Sequence, residues 1–297
     1  MGAATTVAQN MSLCDKYTTA LLKDNNATNQ YTLMILLVNT AVIGNYTTTP
    51  APKNAVPGIL ANGTFDGKAV NLLPYFDGSL LSSNRGGSSG VSVNFLDGGG
   101  AEPLKKNLPA NDKNSHQYTL LTHLYEFFGV LLQCSEYNKN PAFPAYAGHD
   151  MESAHRFMDL SPSEVGYFIQ QVGLSAASFG VSQEDVTAVG NSLNKLFGYR
   201  CSPPTVVVPE QGETLNSICQ NEMCPLDEKA RCDLYPNNGT VVEPARVNGT
   251  GNSTGNGTGM GMPNATASGT PGFSGAANRM GEGVISLLGA LAFVVAL

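Results

Sequence analysis

The sequence predicts an all-α fold, and three stretches predict it. Residues 161–180 are written as a complete helix. Ser161 can cap its start, Pro162 suits the first helical position, Glu164 completes a capping box, and Gly180 ends it. Between them Val165, Phe168, Ile169, Val172, Ala176 and Phe179 recur at the spacing of one buried stripe. Residues 115–133 place Leu120, Leu121, Leu124, Phe127, Phe128, Leu131 and Leu132 on a broad apolar face. Residues 29–44 do the same with Met34, Leu37, Val38, Ala41 and Val42, interrupted by Asn39 and Thr40.

Taken in order, residues 1–11 form an N-terminal segment and residues 12–200 a helical domain enlarged by long loops. A first short helix covers residues 12–24. Residues 45–71 are rich in Pro, Gly, Asn and Thr and read as a surface loop. Residues 82–112 are Gly-rich and irregular, a flexible insertion; no Gly-Lys-Ser/Thr and no strand-to-helix context supports a phosphate loop. His155 lies on a brief helical turn just ahead of the capped helix. Ser182 caps a last helix with Val186, Val189, Leu193, Leu196 and Phe197 on its buried side, and Gly198 ends it.

The remainder is built differently. Residues 201–235 carry Cys201, Cys219, Cys224 and Cys232 without a zinc-type spacing, so a disulfide-tied appendix is expected. Cys14 and Cys134 are left as partners within or across the core, although six cysteines allow fifteen pairings. Residues 236–283 cannot bury a core and read as a disordered, glycosylated stalk. Residues 284–297 are an apolar tail, shorter than the ~20 residues of a spanning helix. Behind a polar spacer and a run of small residues, the tail matches a GPI-attachment signal, with Ser274 or Gly275 as the lipidation point.

Composition bounds the function. A net charge of −7 and the lack of a Lys/Arg run argue against a nucleic-acid partner. Nine Asn-x-Ser/Thr sequons begin at Asn10, Asn26, Asn45, Asn62, Asn238, Asn248, Asn252, Asn256 and Asn264, which points to a glycosylated, secreted chain. The cysteines fit the same oxidising compartment. Residues 1–13 show no signal peptide, so a leader is taken to be removed or missed. The opening Met1-Gly2 with Thr6 matches a myristoylation pattern, but that would place the chain in the cytosol, against the sequons.

Residues 151–181 resemble the proximal half of a truncated haemoglobin. In that family a Met stands four residues before the iron-ligating His, an apolar residue follows five later, and a long helix closes on Gly-Val. Met151, His155, Leu160 and Gly180-Val181 match without a gap. Phrases upstream resemble the family in order. They are Ser12-Leu13-Cys14-Asp15-Lys16, the aromatic turn Leu72 to Gly78, and Glu126-Phe127-Phe128, with Tyr146-Ala147-Gly148 ahead of the proximal segment.

The resemblance implies a truncated-globin-like fold holding haem, with His155 as the metal ligand. Phe76, Leu120, Leu124, Phe127 and Phe128 would line the pocket. Asn39 stands where the family often has a Tyr bonded to iron-bound ligand, and His123 is a second distal candidate. A plainer reading makes Asn39 a solvent-facing helix edge and His123 a boundary residue; His116 and His149 read as solvated.

Three functions follow. The first is a cell-surface, GPI-anchored haem protein binding oxygen, nitric oxide or haem itself. The second is a cofactor-free surface or cell-wall glycoprotein with an adhesive or structural role. The third is a haem-borne oxidative enzyme, for which no distal Arg stands at a fixed spacing. Nor does any Gly-x-Ser-x-Gly, His-Glu-x-x-His or paired-carboxylate pattern offer a haem-free reaction.

Overall fold

The computed structural model describes residues 11–48 and 52–247. The chain runs α1 (Leu13–Leu22), α2 (Ala27–Ile43), β1 (Gly63–Phe65), β2 (Lys68–Val70), α3 (Ala101–Leu104), α4 (His116–Leu131), α5 (Met151–His155), α6 (Pro162–Ser178), α7 (Gln183–Phe197), β3 (Thr205–Val206) and β4 (Glu213–Thr214).

The expected all-α, truncated-globin-like class is therefore corrected. The helices form the core, but two antiparallel hairpins, β1–β2 and β3–β4, and long irregular segments make up much of the body. The first hairpin was written in the sequence. Asp66-Gly67 sits between Phe65 and Lys68, and both residues adopt positive φ, 48° and 74°. A two-residue Asp-Gly turn of this hand matches the twist of paired strands. Its strands are only three residues long, so their alternation was lost among the Asn and Gly of the surrounding loop.

Helix termini follow local chemistry closely. Ser12, Asn26, Ser115, Ser161 and Ser182 each accept a backbone N–H three residues on. The capping box at Ser161 and Glu164 is present in both directions. Gly180 takes φ +90° just past α6.

Helix α2 is the centre and packs against α1, α4 and α6. It is buried on nearly every side, with Met34 and Asn39 at 0% exposure. That explains why its apolar residues do not fall on a single stripe. Around it lie the buried Tyr125, Phe127 and Phe128 of α4, Val165, Ile169 and Val172 of α6, and Leu193 and Phe197 of α7.

Three disulfides brace the body: Cys14–Cys134, Cys201–Cys232 and Cys219–Cys224. Beside the first, the buried Gln30 amide reaches Asp15 Oδ1 at 2.7 Å, Asn25 Oδ1 at 2.8 Å and Ser135 Oγ at 2.9 Å, and its Oε1 accepts from the Glu136 N–H at 2.9 Å. One side chain thus ties α1, α2 and the turn after α4. The Cys-rich segment docks on the helices by backbone bonds, Cys219 N–H to Phe197 O at 2.9 Å and Glu152 N–H to Leu215 O at 3.0 Å.

Two segments expected to be loose are held by specific bonds. The Gly-rich stretch is clamped by the fully buried Gln117. Its Nε2 donates to Gly100 O and Pro109 O, and its Oε1 accepts from Gly100 N–H, all at 2.9 Å. The head of the expected stalk pairs with residues 79–81 through Leu81 N–H to Ala245 O and Val247 N–H to Ser79 O, both 2.9 Å. Residues 1–10, the rest of the stalk from 248 and the apolar tail lie outside the described residues.

Candidate functional site

His155 ends α5, a single turn capped by Asp150, whose side chain accepts from Ser153 N–H at 2.9 Å. Its Nδ1 lies 2.7 Å from the Met151 carbonyl. A carbonyl can only accept, so Nδ1 carries the proton and Nε2 holds the lone pair. Burial lowers the imidazole pKa, against a smaller opposing effect of the Met151 bond, and the ring is neutral. That is the tautomer and charge state of an imidazole metal ligand.

The other residues expected around a haem fall into separate surroundings. Phe76, Leu120 and Leu124 meet Leu104 and Leu121 around a gap of about 10 Å³. Asn39 faces inward, but both ends of its amide are engaged. Its Nδ2 donates to Leu104 O at 3.1 Å and its Oδ1 accepts from Tyr125 Oη at 2.6 Å. Phe127 packs on Tyr146 and Phe197, with ring centroids 5.2 and 6.2 Å away. Phe128 turns instead toward Cys14, Met34 and Val172, beside an apolar gap of about 50 Å³. His123 stacks edge-on to Tyr146 at 5.6 Å, and burial, with the positive charges of His149 and Arg85, lowers its pKa.

Ligand pockets run to roughly 300–1,000 Å³. Voids of 10 and 50 Å³, in separate parts of the core, do not fit a porphyrin. Neighbouring residues on α4 face different partners because a helix turns 100° per residue; the apolar face that looked continuous in sequence is divided between α2, α7 and the loops. The solvated readings of His116 and His149 can be placed directly. His149 is exposed, while His116 is half-exposed with Nδ1 2.8 Å from Asp97 Oδ2. Among the described residues no group of three or more His, Cys, Asp or Glu is placed to hold a metal ion.

A larger cavity of about 190 Å³ opens elsewhere, bounded by Glu152, Arg156, Arg200, Gln220 and the turn from Tyr235 to Val242. Glu152 is 4% exposed and accepts from Arg156 Nη2 at 3.0 Å. Burial raises its carboxyl pKa, with Arg156 opposing. Among the described residues five buried side-chain polar atoms lack a hydrogen-bond partner, and three belong to residues lining this cavity: Arg156 Nε, Arg200 Nε and Gln220 Oε1. Each such atom costs about 1–3 kcal/mol, so their concentration at one cavity is informative.

Sequence reasoning passed over this site because its residues come from four separate segments, the last of them the turn from Tyr235 to Val242. Arg156 stands one residue from His155, Arg200 follows α7, and Gln220 lies between two cysteines. The Arg156–Glu152 pair at i,i+4 was the one local sign available.

Four sequon asparagines fall within the described residues. Asn26, Asn45, Asn62 and Asn238 are all exposed. Asn26 and Asn45 use Oδ1 to accept backbone N–H groups of Asn29 and Val56, which leaves the bond-forming Nδ2 out of those contacts. Asn10, Asn248, Asn252, Asn256, Asn264 and the lipidation candidates Ser274 and Gly275 lie outside the described residues.

No protein-family model, curated protein or solved structure matches the chain. Three disulfides mark it as built for an oxidising, extracellular setting. Among the described residues no helix is long and apolar enough to cross a membrane.

Proposed function

We propose that this is a GPI-anchored, N-glycosylated surface protein whose body is packed without a haem pocket and which serves in adhesion or display at the cell surface. The observation that carries this reading is the dispersal of Phe76, Leu120, Leu124, Asn39, Phe127, Phe128 and His123 into separate packed surroundings. The exposed sequons and the three disulfides support surface display. A body braced by three disulfides around a packed helical core suits display outside the cell.

One titration decides between this reading and a haem protein. The purified glycoprotein is titrated with haemin, then reduced and exposed to carbon monoxide. The expected spectrum shows only free and weakly adsorbed haem, unchanged in His155→Ala. A stoichiometric Soret band that survives washing and is lost in His155→Ala would restore haem binding through that imidazole. The anchor has its own test. Phosphatidylinositol-specific phospholipase should release the protein from membranes, and retention after treatment would overturn the lipid tether.

A further inference from the structure

Helices α6 and α7 pack against each other, and each brings one stripe to the apolar gap of about 50 Å³ beside Phe128. On α6 the stripe is Ile169, Val172, Gly173 and Ala176. On α7 it is Val186, Val189, Gly190 and Leu193. Both follow the spacing i, i+3, i+4, i+7 of a single helix face. Both have glycine in the third place, where the pattern otherwise puts an apolar side chain. The two glycines are buried inside their helices, where glycine is less favourable than alanine. Each leaves its place on the stripe unfilled, and the gap lies along that seam.

The rest of the wall is also apolar. Cys14 and Tyr17 of α1 and Leu33, Met34 and Leu37 of α2 close it. Tyr17 carries the one hydroxyl among the lining residues, and that hydroxyl is engaged elsewhere. Its Oη donates to Asp185 Oδ2 and accepts from Ser182 N–H at 2.9 Å. Cys14 is held in the disulfide with Cys134. The peptide groups of Gly173 and Gly190 lie within α6 and α7, where helix bonds engage them.

Water gains little in such a space, because a cavity water needs two to four polar partners. Apolar cavities stay dry, and one of about 150 Å³ takes benzene or xenon. A gap of about 50 Å³ is too small for the ring and suits an atom or a diatomic molecule. Such a guest is held by dispersion contacts alone, which close packing on all sides makes most favourable.

We propose that the α6–α7 seam binds one small apolar gas molecule, of the size of xenon, dioxygen or nitric oxide. Neither iron nor a hydrogen bond takes part, and His155 does not line the site.

Xenon is the probe, applied under pressure to the full glycosylated chain and followed by methyl NMR. The methyl signals of Val172, Val186 and Leu193 should shift saturably, with half-saturation on the order of 10 mM. Those of Val206, which is 45% exposed on β3, should move only in proportion to pressure. Gly173→Ala and Gly190→Ala each place a methyl on the stripe. Each should weaken xenon binding about fivefold or more and leave the melting temperature unchanged or higher, because the methyl enters unfilled space and alanine favours the helix. A lowered melting temperature in both variants would show that the space is not there and would overturn the proposal. So would xenon shifts that stay linear at the seam, or that persist at full size in both alanine variants.

Discussion

Tyr125 Oη donates to Asn39 Oδ1 across 2.6 Å, with both side chains at 0% exposure. The residue that would have faced iron-bound ligand is thus spent on a bond between α2 and α4. It also receives nothing from solvent, and its Nδ2 closes on the Leu104 carbonyl. Tyr125→Phe leaves the Asn39 oxygen buried and alone, and should cost about 1–3 kcal/mol in urea unfolding. Asn39→Leu should cost at least as much. The double variant should be less destabilised than the sum, with a coupling of about 1 kcal/mol, because one bond is lost only once.

The disulfides should differ in worth. Cys14–Cys134 closes a loop of 120 residues, whereas Cys219–Cys224 spans 5. Chain-entropy arithmetic gives about 5 kcal/mol for the first and about 2 for the second. Paired Cys→Ala replacement, read as the shift in denaturant midpoint, should rank them in that order. Equal losses would show that native packing, not loop closure, sets their contribution.

Gly58 and Gly44 meet where the chain leaves α2 and returns. Both hold positive φ, +85° and +82°, and a Cβ at Gly58 would lie 2.4 Å from Gly44 N. No side-chain movement relieves a backbone clash. Gly58→Ala should destabilise by about 2–4 kcal/mol, by strain and by displacing the bond from its N–H to Gln171 Oε1 at 3.0 Å. Gly67→Ala, at φ +74° with nothing within 4 Å, should cost only the strain of its turn. The difference between the two isolates the steric term.

Glu126 on α4 makes stability depend on pH. It is 6% exposed, and burial pushes its pKa from 4.5 up to about 7, against a bond from the backbone of Ala147. The folded state then holds a proton that the unfolded chain gives up near pH 4.5. This group therefore costs nothing below pH 4.5, and stability falls as pH rises toward 7 and levels off above it. Glu126→Gln should remove that slope. Its denaturation midpoint should sit near the wild-type value at pH 4 and above it at pH 8.

Local chemistry in the sequence determined where the helices begin and end. A cap at Ser12, Asn26, Ser115, Ser161 or Ser182 acts within three residues, so no distant partner is needed to place it. Sequons and cysteines likewise announce an extracellular chain by composition alone.

Which side chains meet was decided only by the tertiary structure. The rotation along α4 sends Phe127 to Tyr146 and Phe197 and sends Phe128 to the α1–α2 side, although they are adjacent in sequence. Asn39 could be read as solvent-facing or pocket-facing until Tyr125, 86 residues away, supplied its partner. Arg156, Arg200 and Gln220 come to one cavity only because the Cys-rich segment folds back on α5 and the end of α7. Periodicity tells which face of an element is apolar; what that face touches depends on long-range packing, which no local pattern encodes.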